Sequence, residues 1–152
     1  MSFAPVEEID FIENWRSQKV IKKVSHIGLA VENLDQARTF FRENFGLASS
    51  EQENFGELIF SFISPGGAHL ELLQSTDHDG TISKFIRNKG EGIHHISLEV
   101  DDIQAELDRL KGKGIKLINE KPYLNAHNEL VAFIHPKSTF GILIELMQTE
   151  EE

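Results

Sequence analysis

The sequence predicts an α+β fold. Two like modules, each a strand, a helix, then two or more strands, pair into a half-barrel around a metal-binding cleft. Three observations carry this reading. Ser25-His26-Ile27-Gly28-Leu29-Ala30-Val31 returns as His94-His95-Ile96-Ser97-Leu98-Glu99-Val100. Leu70-Glu71-Leu72-Leu73-Gln74 returns as Ile144-Glu145-Leu146-Met147-Gln148. The histidine-to-glutamate spacing is 45 residues in the first half and 50 in the second. A period of about 70 residues is too long for a solenoid and suits a duplicated half-barrel.

The elements follow in order. Residues 1–22 form an N-terminal extension, in which Pro5, Val6, Ile9, Phe11, Ile12 and Trp15 outline a short amphipathic helix. The domain proper spans 23–149, with module 1 over 24–74 and module 2 over 92–148. Val24–Val31 reads as a strand. Asn33 caps a helix whose stripe is Leu34, Ala37, Phe40, Phe41 and Phe45, and Gly46 ends it. Leu58–Ile63 is a strand, Pro65-Gly66-Gly67 a turn, and His69–Gln74 the returning strand. The polar link over 75–91 holds a short helix around Ile82, Phe85 and Ile86. Module 2 repeats the order: strand Ile93–Val100, a helix capped by Asp102 with Ile103, Leu107 and Leu110 inward, and a stop at Gly112 and Gly114. Strands are then expected near Ile115–Ile118, Leu130–Ile134 and Gly141–Met147.

Composition narrows the function. A 39% hydrophobic chain of 152 residues with 11 Phe can bury a core. A net charge of −10 argues against nucleic acid or anionic membrane as a partner. It leaves room for an anionic small molecule held by local cations. The absence of cysteine removes disulfides and thiolate metal sites. No apolar run approaches the ~20 residues of a membrane span. Glu7, Glu8, Asp10 and Glu13 give the first residues the wrong charge for a targeting peptide. A cytoplasmic enzyme or binding protein fits.

Strand alternation selects the chemical residues. Ile27, Leu29 and Val31 cover a helix, so His26, Gly28 and Ala30 face the other way; Ile96, Leu98 and Val100 likewise leave His95, Ser97 and Glu99. His94 is thereby turned to the helix side or to a loop. Each of His26 and His95 lies on a face of small or polar residues with room for a ligand. Taken singly, such a histidine is equally a satisfied core residue; the matched pair favours ligation. Glu71 and Glu145 stand inside apolar strands, where a carboxylate loses several kcal/mol of hydration unless a positive charge offsets it. No lysine or arginine lies within two residues of either. Two imidazoles and two carboxylates suit zinc, cobalt, nickel or manganese rather than calcium, at one divalent metal per chain.

Gly90-Glu91-Gly92-Ile93-His94-His95-Ile96, Glu99-Val100-Asp101-Asp102-Ile103 and His135-Pro136-Lys137-Ser138 ahead of Leu143-Ile144-Glu145-Leu146 resemble the vicinal oxygen chelate superfamily and, within it, the methylmalonyl-CoA epimerases. The resemblance runs from about Val24 to Gln148. It implies two βαβββ modules around a divalent metal, and places the family's ligands on His26, Glu71, His95 and Glu145. Relatives often read Gly-Ala-His-Gly where this chain has Asn125-Ala126-His127-Asn128, and Asn tolerates the left-handed backbone next best to Gly. Some epimerases carry a base glutamate on the second strand of module 1; here the direct register puts Ile59 there, with Glu57 two residues away on the same face.

The resemblance therefore implies epimerisation of methylmalonyl-CoA at C2, by proton abstraction and return through a metal-stabilised enolate. Glu145 and Glu57 are the candidate catalytic carboxylates. Lys137 and His127 are candidate substrate contacts, and Lys84, Arg87 and Lys89 are further cations for the polyanionic acyl-CoA. A homodimer is implied as well. The rival readings are a glyoxalase I-like lactoylglutathione lyase, with the same fold and a similar ligand set, and a non-catalytic ligand-binding protein, against which the complete ligand set argues.

Overall fold

A computed structural model describes residues 20–149. The helix expected over Val6–Trp15 lies outside the described residues. Module 1 runs β1 (Ile21–Ala30), α1 (Leu34–Phe45), β2 (Glu53–Phe55), β3 (Leu58–Ile63) and β4 (His69–Ser75). The linking helix α2 (Thr81–Lys89) follows. Module 2 runs β5 (Gly92–Val100), α3 (Ile103–Gly112), β6 (Tyr123–Leu124), β7 (Leu130–Ile134) and β8 (Ile144–Gln148). The pattern βαβββ is thus present twice.

All eight strands form one sheet in the order β2-β3-β4-β1-β5-β8-β7-β6. The modules meet at a central antiparallel seam of β1 on β5, with Ile27 paired to Ile96. Each first strand is parallel to the last strand of its own module, β1 to β4 and β5 to β8. A parallel pair needs a crossover, and α1 and α3 lie within these two.

The helices begin where their chemistry provides acceptors. Asn33 Oδ1 accepts from Gln36 N at 2.9 Å and Asp102 Oδ1 from Ala105 N at 3.1 Å. A second pair of side chains completes both caps. Gln74 Oε1 accepts from Leu34 N, and Gln148 Oε1 from Ile103 N, each at 2.8 Å. The glutamines that close the repeated Leu-Glu-Leu-Leu-Gln and Ile-Glu-Leu-Met-Gln phrases therefore tie each module's last strand to the start of its own helix. Gly46, at φ 67°, ends α1 with its N–H on Arg42 O.

Burial divides along the sheet. Leu34, Ala37 and Phe41 of α1 pack on Leu29, Val31, Ile63 and Leu72. Ile103, Leu107 and Leu110 of α3 pack on Leu98, Val100, Ile134 and Leu146. Leu29, Val31, Leu98 and Val100 are among the six helix-facing residues that strand alternation predicts; the other two, Ile27 and Ile96, pair at the seam and belong to neither cluster. Ile82, Phe85 and Ile86 of α2 cover Ala30, Phe60 and Leu73.

Three expected strands differ. The first starts at Ile21, inside the expected 1–22 extension, because Ile21 already pairs with Val100, and it ends at Ala30. Residues 115–118 make a single bridge, Leu117 to Ile134, instead of a strand. The side chain of Asn119 takes the Phe133 N–H at 2.8 Å and ends the ladder there, so the outer strand is the two-residue β6. The last strand starts at Ile144 rather than Gly141, because Phe140 (φ 58°) and Gly141 (φ 86°) are both left-handed and form a turn.

Leu72 is fully buried between α1 and the sheet. Leu72→Ala should cost about 2–5 kcal/mol through lost burial and the cavity left behind. Urea denaturation should show a lower midpoint with an unchanged m-value.

Candidate metal centre

The seam carries the site. His26 on β1 lies opposite Ser97 on β5, and His95 on β5 lies opposite Gly28 on β1. Gly28 also pairs with Glu71 on β4, and Ser97 with Glu145 on β8. The two halves are thus equivalent: a small residue at the centre, a histidine across the seam, a glutamate on the parallel strand. A Cβ at Gly28 would overlap the His95 ring, so glycine there is what lets that imidazole lie over the sheet.

His26 Nε2 and His95 Nε2 stand 3.0 Å apart. Two donors about 2.1 Å from one ion and at right angles to each other are separated by about this distance. Glu145 Oε1 is 3.4 Å from His26 Nε2, and Glu71 Oε1 is 3.9 Å from His95 Nε2. His26, His95 and Glu145 each offer a ligand atom within 4.8 Å of the others. Glu145 Oε1 is buried with no hydrogen-bond partner among the described residues. A buried carboxylate oxygen left in that state is costly unless a cation takes it. The donor set and the orphaned oxygen fit a divalent metal.

Electrostatics point the same way. Burial, then Glu145, Glu129 and Glu53, push the Glu71 carboxyl up to about 8. Burial raises Glu145 to about 7, with Glu129 adding and the Ser97 hydroxyl opposing. Burial first, and His69 second, lower His26 to about 4, and burial with His26 and His94 takes His95 well below its ordinary value. Both imidazoles are therefore neutral at pH 7, the state that ligates metals.

Each histidine is held from behind. Ser25 Oγ is 3.1 Å from His26 Nδ1, and His94 Nδ1 is 3.0 Å from His95 Nδ1. Such contacts fix the ring and the tautomer. They exist because the seam is irregular: pairing jumps from Val24–Leu98 to His26–Ser97, and from Gly28–His95 to Leu29–Ile93. Ser25 and His94 are the extra residues, and each bulge puts two successive side chains on the cavity wall. Strict alternation turns His94 to the helix side or to a loop; the bulge instead places it beside His95, its ring 5.0 Å from that of Phe85.

The site opens into a cavity of about 590 Å³. Phe60, Phe62, Val131 and Phe133 supply its apolar wall. His127 lines it as well, with Nε2 at 2.7 Å from Glu53 Oε1. The other sequence-derived candidates lie elsewhere. Glu57 is in the turn between β2 and β3, not on a strand, and it does not line the cavity. Its Oε1 accepts from Thr81 N at 3.3 Å, at the positive end of α2. Strand β3 begins one residue later, and Leu58, Phe60 and Phe62 are what it sends inward. Lys137 is exposed on the short 3₁₀ turn Pro136–Ser138, outside the cavity. Lys84, Arg87 and Lys89 are on α2, and none of them lines the cavity; Lys23 does.

The chain belongs to the glyoxalase/bleomycin resistance/dioxygenase superfamily, whose sequence profile matches residues 25–133. Within it, the chain is similar to epimerases of acyl-CoA thioesters. It is 36% identical to the mitochondrial methylmalonyl-CoA epimerase of Homo sapiens over 129 residues, 83% of this chain and 73% of that protein. It is 34% identical to the ethylmalonyl-CoA/methylmalonyl-CoA epimerase of Cereibacter sphaeroides over 134 residues, 85% of this chain and 99% of that one. The fold matches a variant of the Streptomyces coelicolor methylmalonyl-CoA epimerase solved with 2-nitronate-propionyl-CoA, at a TM-score of 0.77 and 28% identity. That match covers 85% of this chain and 95% of the other.

Two predictions follow from this geometry. His95→Ala and Glu145→Ala should each strip the protein of metal, and Gly28→Ala should weaken binding by displacing the His95 ring; elemental analysis after dialysis reads all three, and full occupancy in the two alanine variants of the ligands would remove the site. The second concerns pH. The raised carboxyls of Glu71 and Glu145 stabilise the fold below their ordinary 4.5, and that contribution is lost as pH rises through about 7 and 8. His26, lowered to about 4, acts in the opposite sense only below its ordinary 6.5. From pH 6.5 to 8 the carboxyl effect stands alone, so the Tm of chelator-treated protein should fall across that interval. An equivalent of zinc should flatten the fall; a Tm already flat without metal would contradict the shifts.

Proposed function

We propose that this protein epimerises methylmalonyl-CoA at C2, using one divalent metal held by His26, Glu71, His95 and Glu145. The observation that supports it most is the matched His/Glu pair from each module in a chain that aligns over five-sixths of its length with methylmalonyl-CoA epimerases. Zinc, cobalt, nickel and manganese all suit the donor set.

A bound divalent cation supplies Lewis acidity, stabilising the negative charge that develops on the thioester oxygen when C2 loses its proton. The chain's own groups do the rest. Glu145, a buried carboxylate at the cavity wall beside His26, is the group we assign to accepting the C2 proton. The phenylalanine wall excludes water from the carbanionic carbon. Lys23, which lines the cavity beside Glu99, is the cation we assign to the substrate carboxylate, and exposed Lys137 the one we assign to the phosphates of the coenzyme tail. We further propose that the protein works as a cytoplasmic homodimer; exposed Phe40, Phe45, Ile93, Phe140 and Ile142 offer apolar surface for a second copy to cover.

Incubation in D2O with methylmalonyl-CoA, and separately with methylglyoxal plus glutathione, tests the reading. The first should yield the inverted epimer carrying deuterium at C2, and the second no lactoylglutathione. The opposite pattern would make the protein a lyase of the glyoxalase I type.

A further inference from the structure

Inversion at a carbon calls for a proton carrier on each of its faces, or for an enolate that turns over in the site. Glu145 serves one face, and β3 offers the other only Leu58, Phe60 and Phe62. Beyond the ligands and His94, the titratable side chains of the cavity are Lys23, His69, Glu99, Tyr123, His127 and Glu129. Lys23 and Glu99 are paired with each other at 3.6 Å. The His69 Nδ1 is engaged by Ser64 Oγ at 2.6 Å. Tyr123 is pushed up by burial and by Glu145, the carboxylate it would have to oppose.

His127 is built differently. It sits in the β6–β7 loop at one edge of the sheet, and Glu53 is on β2 at the other. The curl of the sheet brings them together, with Nε2 at 2.7 Å from Glu53 Oε1 across 74 positions of sequence. The loop is fixed from within. Asn125 Oδ1 accepts from His127 N at 2.9 Å and from Glu129 N at 3.0 Å. The ring packs against Phe60 and Phe62, with centroids 6.1 and 5.8 Å away, and Phe62 lies edge-on to His26. The imidazole therefore comes from module 2 but rests on the module 1 wall, whereas Glu145 rises from β8 in module 2. Glu53 holds the Nε2–H. That leaves Nδ1 for chemistry, with Glu129 Oε1 at 3.9 Å, beyond hydrogen-bond distance. A carboxylate fixing one nitrogen so that the other can exchange a proton is the logic of the hydrolase triad.

We propose that His127, positioned by Glu53, is the second acid–base residue, acting on the face of C2 opposite Glu145; this rests on the epimerase reading above. From one epimer, the Glu145 carboxylate takes the C2 proton and the C–H electron pair moves into the thioester carbonyl. The His127 imidazolium then gives its Nδ1 proton to the opposite face, and the pair returns to form the new C–H bond. Glu145 is left protonated and His127 neutral, and proton exchange with water restores both. From the other epimer the two residues trade roles.

The test follows each epimer separately in D2O with His127→Gln. Inversion should fall about 10²-fold or more, while the epimer whose proton faces Glu145 still exchanges it for deuterium with retained configuration. Metal content and Tm should match the wild type, which separates chemistry from folding. Glu53→Gln keeps the ring and should show a smaller loss of inversion with the same split. Inversion within about twofold of wild type in His127→Gln would overturn the proposal, and so would equal loss of exchange from both epimers with metal retained. A wild type that neither exchanges nor inverts this substrate ends the epimerase reading itself, whereas an active wild type beside an indifferent His127→Gln ends only this assignment.

Discussion

The antiparallel pairing of β1 with β5 about Ile27 and Ile96 is the constraint on which the rest of the molecule depends. Because the two strands run in opposite directions, each module's histidine lies opposite the other module's small residue, Gly28 or Ser97. Because each is also parallel to the last strand of its own module, that small residue has a glutamate beside it. Neither module holds more than half of the donors. Helices α1 and α3, their caps and the hydrophobic clusters beneath them hold this arrangement in place from the face of the sheet away from the cavity.

Such a centre is unfavourable by itself. Two carboxylates and two imidazoles are withdrawn from water, with no lysine or arginine paired to either carboxylate among the described residues. Protonation of the carboxylates and neutrality of the rings are how the metal-free protein tolerates it. A divalent ion bound there would replace those protons and join the two modules, and its binding would then add to the stability of the seam.

Much of this was legible in the sequence because it is written twice. The four donors sit in repeated phrases, and the side of the sheet they occupy follows from period-two alternation. The caps at Asn33 and Asp102 and the stop at Gly46 are local features with local signals. What could not be read depends on pairing between distant strands. Ser25 and His94 support the donor histidines only because the ladder skips a residue at each, and a bulge leaves no composition mark when neither residue is glycine. Gln74 and Gln148 were visible in the repeat, yet their partners, the first N–H groups of α1 and α3, are 40 and 45 residues away. The strand Leu58–Ile63 stands where the hydrophobic pattern puts it, but its inward face is Leu58, Phe60 and Phe62, while Ile59 packs toward α1, so Glu57 is left in the preceding turn and outside the cavity. The contact between Glu53 and His127 arises from the curl of the whole sheet, which no window of sequence encodes.

The paired bulges have a consequence for how this chain can change. Each acts as a frameshift in the pleat, and the two shifts lie symmetrically on either side of the seam's midpoint. Deleting Ser25 or His94 would remove one of the ladder's irregularities but strip one of the paired imidazoles of the neighbour behind it and slide one strand out of phase with the other. Loops normally absorb insertions and deletions while strand centres accept substitutions. Here a single-residue length change in the middle of either of the two longest strands would shift His26 or His95 away from its partner across the seam.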